Sequence, residues 1–93
     1  MYKLKTTQKF EKSVKKLPQK QKNKLPKTLL QLQNDPKHNS LYTKKNHSAS
    51  NVANELIYES RIDSKYRVIW KYENNQVILL LLTGNHNVVE GKK

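Results

Sequence analysis

The sequence predicts one α+β domain over residues 1–93: a strand, a two-helix hairpin, then a three-stranded antiparallel meander, with the helices packed on one face of the sheet. Three observations carry this. Apolar residues at helical spacing fill the first half and are punctuated by prolines. Segments at strand spacing, joined by short polar links, fill the second half. The chain has 93 residues, 34% of them hydrophobic, which suffices for one modest core.

The elements follow in order. Tyr2-Lys3-Leu4-Lys5 alternates and reads as a short strand. Thr6 or Thr7 can cap the first helix. Phe10, Val14 and Leu17 form one helical stripe, which Pro18 ends. Leu25, Leu29 and Leu32 form a second stripe. Pro26 suits a first turn, so this helix is predicted to begin near Leu25 and to end at Asp35-Pro36. Residues Asp35 to Asn54 read as a long polar loop with Leu41 and Tyr42 as anchors. Strands are predicted over Leu56–Ile62, Tyr66–Tyr72 and Val77–Thr83, linked by Asp63-Ser64-Lys65 and by Asn74-Asn75. The run Val77-Ile78-Leu79-Leu80-Leu81-Leu82 lacks polar alternation, which predicts a central strand covered on both faces.

Composition narrows the function. There is no cysteine, hence no disulfide framework and no thiolate metal site. No apolar run reaches the roughly 20 residues that span a bilayer, and the N-terminus lacks a secretory h-region. A soluble cytoplasmic protein is expected. Net charge is +12. Residues 1–50 hold 13 lysines against Glu11 and Asp35, so nearly all of the excess lies in the first half. Such a field favours a polyanionic partner; alternatively the lysines are merely solvated.

Register brings a candidate site together. A three-residue link after Ile62 sets Arg61 opposite Arg67. Directly opposed like charges cost some tenths of a kcal/mol, a cost that a bound anion can offset. Alternatively the register is shifted by a residue, or the arginines splay into water. With Asn74-Asn75 as the second turn, Trp70 pairs with Leu79 and Arg67 with Leu82. Thr83-Gly84-Asn85-His86 then leaves the sheet beside Arg67, with Gly84 swinging the chain and His86 approaching both arginines.

The pattern Arg61-Ile62-x-x-x-Tyr66-Arg67-Val68-Ile69-Trp70, a polar turn, an apolar strand and Thr83-Gly84-Asn85-His86 resembles the RelE/ParE toxin superfamily of type II toxin–antitoxin systems. More narrowly it resembles the ribosome-dependent mRNA interferase branch. The resemblance implies a RelE-like fold and a metal-independent, cofactor-free endoribonuclease that inhibits translation by cutting mRNA on the ribosome. It implies Arg67 as phosphate binder, Arg61 as a second basic catalytic residue and His86 as general acid. Lys44, Lys45, Tyr42, Tyr66 and Asn85 become candidate substrate contacts, with Tyr42 or Tyr66 stacking on a base. No general base is obvious; Glu59 and His47 are candidates, and Glu59 could instead neutralise Arg61. Asn87 stands where relatives carry an acid, and residues 88–93 lack the tyrosine that many relatives have. An acidic cognate antitoxin, the ribosome and mRNA are the implied partners, with no membrane. Two alternatives stay open: a ParE-like inhibitor of DNA gyrase, and a basic RNA-binding module without catalysis.

Overall fold

A computed structural model of the chain describes residues 1–89. Its sheet has five strands in the order β1-β5-β4-β3-β2. The edge strand β1 (Lys3–Thr6) runs parallel to β5 (Val77–Asn85). The pairs β5–β4 (Tyr66–Asn74), β4–β3 (Tyr58–Arg61) and β3–β2 (Lys44–Lys45) are antiparallel. The predicted α+β class and the order of strand, helix pair and meander are found in the structure. Among the described residues no helix is long and apolar enough to cross a membrane.

Helix α1 (Gln8–Lys15) is capped by Thr7, not Thr6. The Thr7 hydroxyl accepts from Phe10 N at 3.1 Å and donates to Leu80 O at 3.0 Å, so one side chain caps the helix and ties it to β5. Helix α2 spans Gln19–Asn34 and does not wait for Leu25. Pro26 lies inside it, on the exposed side, at the cost of one backbone hydrogen bond. The early start is held from outside the helix. Gln21, Leu25, Thr28 and Leu32 form one buried stripe. Asp63, in the β3–β4 turn, accepts from Gln21 Nε2 at 2.9 Å and pairs with Lys24 Nζ at 3.4 Å.

Residues 35–54 are not a featureless loop. They contain a 3-10 turn (Asn39–Leu41), β2, and helix α3 (His47–Ala53). Leu41 is a buried anchor as predicted, whereas Tyr42 is exposed. Short polar side chains organise the segment. Asn46 Oδ1 caps α3 through Ala49 N at 2.8 Å, and Ser50 Oγ bridges Ile57 N and O. Ala49 of α3 packs with Ile57, Ile69, Leu81 and Leu82. The predicted helix pair therefore packs on one face of the sheet, and α3, which the sequence does not predict, lies on the other. The first two cover one side with Phe10, Leu17, Leu25 and Leu32 against Val68, Trp70, Ile78 and Leu80, while α3 covers part of the other. That second face is only half-buried at Leu79, Leu81 and Leu82, so β5 is interior in the sheet but fully covered on one face alone.

Trp70 is fully buried at the centre of the core. Its Nε1–H donates to Ser60 Oγ at 2.8 Å; Ser60 Oγ lies 2.7 Å from Thr43 Oγ1, which donates to Pro36 O at 2.6 Å. The indole proton is thus satisfied through a chain that fastens the 36–43 segment to the sheet.

The β3–β4 register sets Arg61 opposite Arg67, as predicted. The β4–β5 register differs from the prediction. The turn is Asn75-Gln76, one residue later than predicted, and Asn74 Oδ1 accepts from Gln76 N at 2.8 Å to close an Asx turn there. Irregularities between Tyr72 and Asn74 and between Ile69 and Trp70 adjust the pairing further. Trp70 therefore pairs with Leu80, and Arg67 with Gly84. Strand β5 continues through Gly84 to Asn85, and the chain leaves the sheet at His86 instead of Thr83.

Candidate functional site

Arg67 is the centre of the site, and it is buried, with 8% of its side chain exposed. Its cross-strand neighbour Gly84 has no side chain, which leaves room for the guanidinium beside β5. Nη1 donates to Asp63 O at 2.8 Å, to Ser64 O at 3.1 Å and to Tyr66 O at 3.2 Å, gathering the β3–β4 turn. Nε faces Glu59 Oε2 at 3.4 Å, an ion pair whose geometry falls short of a hydrogen bond. Glu59 is itself buried, and its other oxygen accepts from Asn46 Nδ2 at 3.1 Å. Glu59 thus neutralises Arg67 and not Arg61. With its carboxylate enclosed behind the arginine, it is not presented to a substrate hydroxyl as a base would be.

Arg67 also lines an open cleft, together with Ser64, Lys65, Asn85, His86 and Asn87. His86 begins helix α4 (His86–Val89), and its backbone N–H donates to Lys65 O at 2.9 Å. That bond docks the end of β5 against the β3–β4 turn, and the exposed His86 lines the cleft shared with Arg67. Two further residues fix the wall. Thr83 Oγ1 donates to Arg67 O at 2.8 Å, and Thr83 N donates to Ser13 Oγ of α1 at 3.0 Å.

A second cleft of about 540 Å³ adjoins the first through Asn85. Lys9 and Lys12 of α1 and Lys16 at its C-terminal cap line it, facing Tyr66, Leu82 and Thr83 from the sheet. Their spacing of three and four residues was the signal that they share one helix face. A third depression, between Lys20, Lys24, Lys65 and the turn, meets the second at Tyr66. Its carboxylate, Asp63, is already engaged. Burial pushes its pKa up, but hydrogen bonds from Gln21, the Lys65 and Tyr66 backbone and Lys24 outweigh that and lower it from 3.8 to about 2. The connected surface is accordingly basic, with an aromatic ring at its middle.

Not every residue proposed from sequence comes to this place. Arg67, His86, Asn85 and Tyr66 do. Arg61 does not line the Arg67–His86 cleft, although its backbone pairs with Arg67. Its guanidinium carbon lies 4.5 Å from the centroid of the Tyr42 ring, beside a different groove. Lys44 and Lys45 are exposed on the edge strand β2. His47 is exposed at the start of α3 and His38 caps the 3-10 turn through Ser40 N; neither lines the cleft. Among the described residues no three histidine or carboxylate groups gather as a metal site. The absence of a C-terminal tyrosine concerns residues whose final part, 90–93, lies outside the described residues. Ser64 and Lys65 are not among the residues that the sequence proposes for the site, because turn residues show no periodicity.

No family model matches the sequence, and no curated protein does. The fold, however, is shared with solved structures. YafQ from E. coli strain BL21(DE3) superposes with a TM-score of 0.73 at 19% identity, over 96% of this chain and 98% of that one. A chain of the archaeal RelE–RelB complex from Pyrococcus horikoshii OT3 gives 0.68 at 18%, over 99% and 98%. A metal-bound toxin from Helicobacter pylori gives 0.69 at 16%, over 96% and 99%. The chain has the RelE-like toxin fold.

Proposed function

We propose that this protein is the toxin of a type II toxin–antitoxin system, acting in the cytoplasm as a ribosome-dependent mRNA endonuclease. The observation that carries the reading is the shared cleft of Arg67 and His86 at the end of the sheet, flanked by the α1 lysines, in a RelE-like fold. In the reaction a ribose 2′-hydroxyl gives its proton to solvent water as its oxygen attacks the adjacent phosphorus. The bond from phosphorus to the 5′-oxygen breaks, and that oxygen takes up a proton. The products are a cyclic phosphate and a free 5′-hydroxyl. His86 supplies the proton to the leaving oxygen. Arg67, with Nε and Nη1 turned inward, offers its remaining Nη2 edge to the phosphorane charge. Asn85 and Tyr66 orient the strand between the two clefts. The ribosome would supply the alignment that compensates for the missing base.

A partner belongs to the reading. A chain at +12 suits an acidic antitoxin, and the P. horikoshii neighbour was solved as a RelE–RelB complex. One observation favours a second reading, a basic RNA-binding module without cleavage: Arg67 Nη1 is already used on three carbonyls and Nε faces Glu59 inside the fold. The test is expression with and without the adjoining reading frame, with mRNA ends mapped. Growth arrest with cuts inside codons is expected, and both should disappear in His86→Ala and Arg67→Ala proteins that remain folded. RNA binding with no cut ends would establish the second reading, and arrest accompanied by altered DNA supercoiling would point to gyrase.

A further inference from the structure

We propose that Arg61, Lys24 and Lys27 form, with Tyr42, a second subsite that holds a nucleotide of single-stranded RNA, separated from the Arg67–His86 cleft by the β3–β4 turn. The inference rests on the RNA reading above and assigns Arg61 to holding the strand, away from bond cleavage. Four observations lead to it. A groove between α2 and β3 is lined by Lys24, Lys27 and Arg61, with Asn23, Gln31 and Ser40 among its polar neighbours. Among the described residues no carboxylate pairs with Arg61 or Lys27. Arg61 packs over the Tyr42 ring, 4.5 Å from its centroid, a contact that holds the guanidinium plane while leaving its N–H edges for a phosphate.

Tyr42 supplies the fourth. It is 63% exposed and adopts the left-handed region at φ 48°, where glycine or asparagine is usual. A large ring kept on the surface at such a backbone position is explained if the ring is used. Cations for a phosphate beside an exposed aromatic face fit a nucleotide better than a simple anion. The groove is also joined to the first site. Lys24 belongs both to it and to the depression around Asp63, Ser64 and Lys65, and Ser64 and Lys65 in turn wall the Arg67–His86 cleft. One strand crossing the turn can touch both. The opposed arginines of the β3–β4 pair are then reconciled: Arg67 is neutralised by Glu59, and Arg61 turns toward Tyr42 and α2.

The test uses a 2′-O-methyl octanucleotide, which has no free 2′-hydroxyl and cannot be cleaved. In Tyr42→Trp protein the new indole sits against Arg61, which lines the groove, and so reports on it, while the buried Trp70 gives a constant background. A saturable change in emission is expected on adding the octanucleotide. In otherwise unaltered protein, Arg61→Ala and Lys27→Ala should each weaken binding about tenfold by anisotropy of labelled RNA. That arm holds whether or not Tyr42→Trp folds. Octanucleotide bound with unchanged emission and unchanged affinity in Arg61→Ala would overturn this subsite while leaving the RNA reading intact. An equal response to inorganic polyphosphate would overturn the nucleotide assignment. No binding of the octanucleotide by any form would overturn the subsite, while cuts inside codons in the mapped mRNA would still uphold the ribosome-dependent reading.

Discussion

Arg67 and Asp63 show how single residues divide between structure and chemistry. Arg67 spends Nη1 on three carbonyls and Nε on Glu59, so it builds the turn that carries Lys65 and docks His86 as well as facing the cleft. Asp63 does the same for α2, and its titration gives a pH signature. Its pKa is lowered to about 2 in the fold, so its contribution is complete above its ordinary value of 3.8 and is lost as pH falls through about 2. The contribution is on the order of 1 kcal/mol after solvent screening. Urea titrations of the parent and Asp63→Asn proteins should therefore differ above pH 5 and converge toward pH 2. A constant difference at every pH would mean that the carboxylate charge is not what anchors the helix.

At the scale of elements, α2 departs most clearly from its sequence signal. Pro26 argued for a late start, and local propensity alone supports that. The buried stripe from Gln21 to Leu32 and the Asp63 anchor overrule it. The proline then remains as a local cost inside a helix that tertiary contacts hold. Pro26→Ala restores a helical N–H on an exposed face and is expected to raise stability by about 1–2 kcal/mol, read from the denaturant midpoint. A lower midpoint would show that the proline shapes α2 for its packing. Helix α3 was missed for the opposite reason. It is seven residues long and held by Asn46 and Ser50 side-chain bonds, and such residues read as loop.

Across the whole molecule the charge is lopsided, and the clefts gather part of the excess at one end of the sheet. Lys9, Lys12 and Lys16 wall one cleft beside the Arg67–His86 site. Their joint replacement by Gln should lower the salt dependence of RNA binding, with the slope of log affinity against log salt falling by about 2–3. Binding should weaken similarly for RNAs of different sequence, because such contacts read phosphate and not bases. An unchanged slope would place the RNA elsewhere on the basic surface.

The α+β class, the order of strand, helix pair and meander, and the Arg61–Arg67 pairing were legible in the sequence, because each follows from a period or from a short turn of fixed length, whereas the RelE-like assignment came from resemblance and not from periodicity. Which arginine shares a cleft with His86 was not. The β4–β5 pairing moved when the Asn74 side chain closed its turn, and two irregularities then brought Gly84 opposite Arg67. Glu59 went to Arg67, and Tyr42 took Arg61. Those choices depend on side chains distant in sequence competing for the same space and charge, so only the folded chain could make them.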